Sequence, residues 1–251
     1  MVVNNYIFYF ALLFSINLTQ GQNYLIKFKA DIKLYDLTGQ NSKNLSNSQK
    51  IYLKSINKKN KYLSDALTLN VITNNAEYFL YYDDILLKDK ISSSDLKTSK
   101  LTISSFPEIL HKDDVSYGFS ATLDSVLVRA NYSDYYEWKI DNQVKQILGY
   151  KCYKAIPILK DDLKMPDGTF IPSEVWFTPD LNLKGSPGMF TGLPGLILEY
   201  KTSNALISAK SIEETDKKIK IIDLSCYKTY SYNHYNEQIR KYYKKLRNNL
   251  K

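Results

Sequence analysis

The chain has 251 residues, 44% of them hydrophobic and 24% charged, which is enough apolar material for one sizeable core without requiring two domains. Its formal net charge is +8, but from Lys228 onward seven basic residues stand against one acid, Glu237, so most of the excess sits in the tail. A basic balance placed in this way is no nucleic-acid footprint for the body. There is no Gly/Ser or Pro-rich linker and no internal repeat. The 22 tyrosines favour half-buried, half-wet pleated surfaces, which biases the reading toward β structure.

Taken in chain order, residues 1–21 read as a signal peptide. Tyr6 to Leu18 is an uncharged apolar run, too short to span a bilayer comfortably, followed by Thr19-Gln20-Gly21. Cleavage is expected after Gly21, giving an exported protein, periplasmic, outer-membrane-associated or secreted, that starts at Gln22; an uncleaved anchor is the competing reading. In an oxidising compartment Cys152 and Cys226 are expected to pair, against the alternative of two buried free thiols. That bridge closes a loop of about 74 residues, which the chain-entropy account values at roughly 4 kcal/mol.

Tyr24 to Tyr35 alternates as a long half-buried strand. Residues 36–61, rich in Asn, Ser and Lys, read as loop with a short strand at 51–53. Residues 67–72 and 77–82 form a hairpin across Thr73-Asn74-Asn75. Residues 91–111 are a polar excursion with one strand. Residues 122–129 and 135–140 read as a strand pair, and Asp141-Asn142 as a turn. Strands follow from Lys151 and from Ser173, separated by a turn at Met165-Pro166-Asp167-Gly168, and Pro179-Asp180 ends the second. Residues 196–201 and 205–212 make a further hairpin, with one more strand expected over 218–224. In the tail, Tyr235, Ile239, Tyr242, Leu246 and Leu250 recur at helical spacing with cations on the other faces. The expected fold is mainly β: a single curved antiparallel sheet or partly closed barrel over 22–226, and a basic amphipathic helix over 227–251.

The densest local signal is Gly185 to Tyr200. Pro187-Gly188 and Pro194-Gly195 carry the chemistry of type II turns, proline presetting one φ and glycine accepting the next. Gly188, Gly192, Pro194 and Gly195 therefore read as a structural corner feeding a buried strand, with no reactive group in it.

Three blocks in order carry a family likeness: residues 151–155, residues 175–181, and Gly185 to Glu199 with the unbroken hexapeptide Gly192-Leu193-Pro194-Gly195-Leu196-Ile197. Together they resemble the GLPGLI family. The resemblance implies an exported envelope protein of Bacteroidota-type bacteria and assigns it no reaction. A looser likeness of pattern connects the curved sheet to lipid carriers.

Reactive chemistry is sparse. His111, beside Asp113 and Asp114, offers the one arrangement on which a hydrolase is drawn, against a solvated loop histidine. No His, Cys or carboxylate spacing suits a metal, and no cofactor is implied. Trp176 and Phe177 face opposite sides of a strand; one of them, with Phe190 and Tyr200, lines a groove for an apolar ligand, or all four are core. Ser125, in Asp124-Ser125-Val126, fits a short O-glycosylation pattern. The tail helix either packs across the sheet with a solvated basic face or lies on an anionic membrane surface; nucleic acid is not expected. The expected function is a non-enzymatic envelope protein of the GLPGLI type that binds lipid, another apolar ligand or an outer-membrane partner. Its alternatives are an accessory of an outer-membrane transporter and a hydrolase using His111.

Overall fold

The computed structural model describes residues 22–39, 43–88, 91–131, 135–160 and 171–249. The leader and the turn at 165–168 lie outside these residues. Twelve strands form one sheet: β1 (Asn23–Ile32), β2 (Leu69–Thr73), β3 (Tyr78–Tyr82), β4 (Ile109–Lys112), β5 (Val115–Phe119), β6 (Val126–Ala130), β7 (Tyr136–Ile147), β8 (Tyr150–Leu159), β9 (Glu174–Thr178), β10 (Leu196–Lys201), β11 (Ala205–Thr215) and β12 (Lys228–Ser231). Among the described residues α-helices α1 (Asn47–Ala66), α2 (Ser93–Ile103) and α3 (Tyr232–Asn249) accompany them, with a 3-10 turn at Leu224–Cys226. The protein is mainly β, an open sheet with a C-terminal helix, as its alternation and turn chemistry predict.

The strand order is β12-β6-β5-β4-β3-β2-β1-β11-β10-β9-β8-β7, antiparallel throughout except for β12 beside β6. Residues 122–129 and 135–140 therefore do not pair with each other: β6 and β7 stand near opposite ends of the sheet. Yet only residues 131–135 join them, and such a link reaches at most about 20 Å. The two ends must come near each other, so the sheet curls most of the way round without closing. Bulges between Lys27 and Phe28, between Ile140 and Val144, and between Ile197 and Glu199 supply local bend.

Asp141-Asn142 lies inside β7, at that second bulge, and the hairpin turns instead at Leu148-Gly149, where both residues have positive φ (52° and 84°). Residues 218–224 are not a strand. Ile219, Ile222 and Leu224 cover an apolar patch of Leu25, Ile72, Phe79 and Leu110 on the outer face of the sheet.

The loop expected over 36–61 is largely α1, and the excursion at 91–111 contains α2. Both helices start on capping boxes, Ser46 with Gln49 and Ser92 with Asp95. Their hydrophobic load is small, since Leu63 is the buried residue of α1 and Ser99 and Ile103 those of α2. Tertiary packing against β1 holds them in place. The main core lies on the inner face, where Ile26, Phe28, Val71, Leu80, Ile109 and Ile207 meet the two helices and the 183–198 segment.

Candidate functional site

The 183–195 corner is held by three parts of the curled sheet. Thr73 Oγ1 donates to the carbonyl of Lys184, and Lys184 N–H to that of Asn74 (2.9 Å). Tyr78 OH donates to Gly188 O (3.0 Å), and Trp138 Nε1 to Thr191 O (2.7 Å). Gly195 has φ 133°, and a Cβ there would lie 2.0 Å from Thr178 O. Gly188 differs from the type II expectation: its φ is not positive, and a Cβ would meet the Phe190 ring at 2.8 Å.

Beneath the corner is a cleft of about 340 Å³ that includes His111. His111 Nδ1 is 3.0 Å from Ser116 Oγ, and its ring stacks on Tyr78 at 4.9 Å. It is only 3% exposed. Burial, and then the Lys184 charge, push its pKa down to about 4, with Asp114 opposing. The imidazole is neutral near pH 7, and Ser116 is itself buried. At the mouth, Lys184 pairs with Asp114 at 2.6 Å, and the hydrogen bond it donates there holds that carboxyl below its usual range. The solvated loop histidine is thus a buried strand residue, and Thr191 Oγ1 is buried in the same wall with no protein partner.

Of the aromatic set read from the sequence, Phe190 and Tyr200 do meet, at 5.3 Å, but both are buried, as is Phe177. Trp176 is buried too, on the other face of β9 under the Lys145 ammonium at 4.2 Å, and Lys145 also pairs with Glu199, which accepts from Ser208 Oγ at 3.0 Å. Cys152 is buried on β8, its thiol pushed up to about 11 by burial, while Cys226 is exposed beside β12. Both are free thiols and the expected bridge is absent: Cys152 Sγ donates to Tyr150 O inside the sheet, and Cys226 Sγ to Asp223 Oδ2 in the exposed turn before β12. Ser125 is exposed at φ 54° in the turn before β6. Among the described residues no three His, Cys, Asp or Glu side chains gather to hold a metal.

The sequence reading missed a larger groove of about 660 Å³ between α1, α2 and the end of β1. Its rim carries Tyr35 and Tyr52, 52% and 67% exposed. The Tyr35 backbone is clamped on both sides: its N–H donates to Asn57 Oδ1 (2.7 Å), and Asn57 Nδ2 donates to its carbonyl (2.8 Å). Asp36 shapes the next turn by accepting from Thr38 N–H (2.8 Å) and Gly39 N–H (3.0 Å). Lys59 donates to both oxygens of Asp95, at 3.0 and 2.9 Å, locking α1 to α2. Hydrogen bonds from Ser92 and Lys59 bring the Asp95 carboxyl down to about 2. The groove thus presents two exposed tyrosine rings beside amides and hydroxyls from Asn60, Thr98 and Asn204. Such a mixture suits a ligand with both apolar ring faces and hydroxyls. The capping boxes at Ser46 and Ser92 were the signal that would have revealed its walls.

A family profile described as "N-glycanase peptide, N-terminal domain" matches residues 51–235. Two solved structures are similar: "Structure of PNGF-II in P21 space group", at 20% identity and TM-score 0.47, covers 88% of this chain and 34% of that one. "Structure of PNGF-II in C2 space group", at 19% identity and TM-score 0.44, covers 86% of this chain and 32% of that one. The chain therefore spans about a third of the length of these PNGF-II chains. No curated protein matches. The family match runs through all three blocks that suggested the GLPGLI family, Cys152 and the hexapeptide included, and it overturns that resemblance. The expected GLPGLI-type carrier of an apolar ligand or envelope partner goes with it, as do the lipid-carrier likeness, the transporter accessory and the His111 hydrolase. With 185 of its 251 residues inside the match, the chain belongs to the N-glycanase peptide N-terminal domain family.

Proposed function

We propose that this chain is the substrate-recognition module of an N-glycanase-type protein, engaging N-glycosylated polypeptide through the groove between α1, α2 and β1. The family match over residues 51–235 carries the reading. The groove supports it chemically. A pyranose ring offers an apolar C–H face to a tyrosine and hydroxyls to amides, and Tyr35, Tyr52, Asn60 and Asn204 combine these in one place. Hydrolysis of a glycosyl–asparagine amide needs an acid or base within reach of the bond. The buried His111–Ser116 pair and the lysine-bound Asp95 and Asp114 do not favour that role. The apolar run at Tyr6–Leu18 is read with it as an export signal, placing the module outside the cytoplasm, in the periplasm or secreted.

The test is calorimetric titration of the chain from Gln22 onward with an N-glycosylated peptide and with the same peptide lacking its glycan. Preference for the glycosylated form, weakened about tenfold in Tyr52→Ala, is the expected result. Equal affinity for the two peptides, or an unchanged affinity in Tyr52→Ala and Tyr35→Ala, overturns it. Glycan release by the chain alone would replace recognition with catalysis.

A further inference from the structure

Among the described residues nothing packs over the second half of α3. Tyr232 is buried, and Tyr235 packs on Phe106 (ring centroids 5.7 Å apart), so the first turns seal the edge near β12 and β6. Beyond Arg240 every residue through Asn248 is exposed. At 100° per residue, Tyr232, Tyr235, Ile239, Tyr242, Tyr243 and Leu246 share an arc about 100° wide. The stripe that packs on the body therefore runs on past it, leaving Tyr242, Tyr243 and Leu246 at 40%, 49% and 41% exposed.

Cations border this stripe on both sides. Arg240 and Arg247 follow Tyr243 around the helix, and Lys245 precedes Tyr242, with Lys241 and Lys244 on the far face. The nearby acid is Glu237, so five cations stand against one carboxylate. The matched family residues end at 235, before this segment begins.

We propose that the second half of α3 is a membrane-surface anchor that lays its Tyr242–Tyr243–Leu246 stripe into the headgroup region of an anionic bilayer. Three observations favour lipid over a protein groove. The stripe is shallow and tyrosine-rich, and tyrosine keeps its hydroxyl wet at the headgroup level while burying its ring. The cations flank the stripe, where they reach lipid phosphates when the helix lies in the plane of the surface. The excess of Lys241, Lys244, Lys245 and Arg247 over Glu237 complements an anionic surface, each cation adding roughly fivefold to binding. Among the described residues no helix is long and apolar enough to cross a membrane, so this contact is peripheral.

The test is vesicle flotation of the chain from Gln22 to Lys251, with phosphatidylcholine vesicles and with vesicles that also contain phosphatidylglycerol, at low and high salt. Flotation with the anionic vesicles is expected, falling with salt and lost in the charge-reversed pair Lys241→Glu/Lys245→Glu. Tyr242→Ser/Leu246→Ser should weaken it at least about tenfold. Circular dichroism melting confirms that both variants are folded. No flotation, equal flotation with neutral vesicles, or variants that float like the parent would overturn the proposal. So would a concentration-dependent dimer in sedimentation that Tyr242→Ser/Leu246→Ser abolishes, since the stripe would then belong to a second copy. Glycopeptide binding by the α3 variants should equal the parent's, which keeps this result independent of the groove.

Discussion

The corner at 183–195 and the free half of α3 sit at opposite extremes of the same molecule. Residues 185–190 are all buried, and the corner's carbonyls are bound by hydroxyl and indole donors from β2, β3 and β7. From Lys241 to Asn248 every residue of the helix is exposed. The corner falls within the family match, whereas the helix lies almost wholly beyond it. A curled sheet needs something to wrap around, and the corner provides that; the helix end contributes nothing to the core. Stability and surface contact are thus assigned to different segments, and substitutions should separate them.

The largest effect is expected at the corner. Gly195→Val places a Cβ against Thr178 O at a φ that valine resists, and should cost on the order of 3 kcal/mol or more in chemical denaturation. A parent-like midpoint would break the contrast between the two regions. Next comes pH. His111 is held neutral in the fold with its pKa near 4, below the unfolded value of 6.5. The unfolded chain therefore binds the extra proton between these values. Its contribution is complete above pH 6.5 and is lost as pH falls toward 4, by up to about 3 kcal/mol. The difference in midpoint between parent and His111→Gln should change with pH between about 4 and 6.5 and level off on either side of that window.

Smaller again, Tyr78→Phe removes the donor to Gly188 O and leaves a buried carbonyl unpaired, for about 1–2 kcal/mol. At the other extreme, Lys241→Glu/Lys245→Glu should leave the melting midpoint within about 0.5 kcal/mol of the parent. A large loss of stability there would mean that the helix end belongs to the core after all.

Much of the β scaffold was legible because its signals are local. The alternation in Ile26, Phe28, Ala30 and Ile32, the Asn74 turn between β2 and β3, and the helical spacing from Tyr235 to Leu246 each need only neighbours in sequence. The groove was not legible. Its walls are two polar helices with few buried side chains, announced by capping boxes at Ser46 and Ser92 amid Asn, Ser and Lys that otherwise read as loop. The aromatic set at Trp176, Phe177, Phe190 and Tyr200 looked like a site because aromatic residues serve cores and sites equally well, and burial alone distinguishes them.

By itself, then, the sequence determined strand rhythm, the glycine at 195 and the amphipathic character of α3, since pleat, φ and helical pitch act over a few residues. Only the tertiary structure decided that β6 and β7 stand in opposite wings, that Cys152 and Cys226 are parted, and that Tyr35 and Tyr52 share a rim. These are long-range pairings, chosen by which inner-face side chains pack together and by how far the sheet curls, and no short window of residues encodes either.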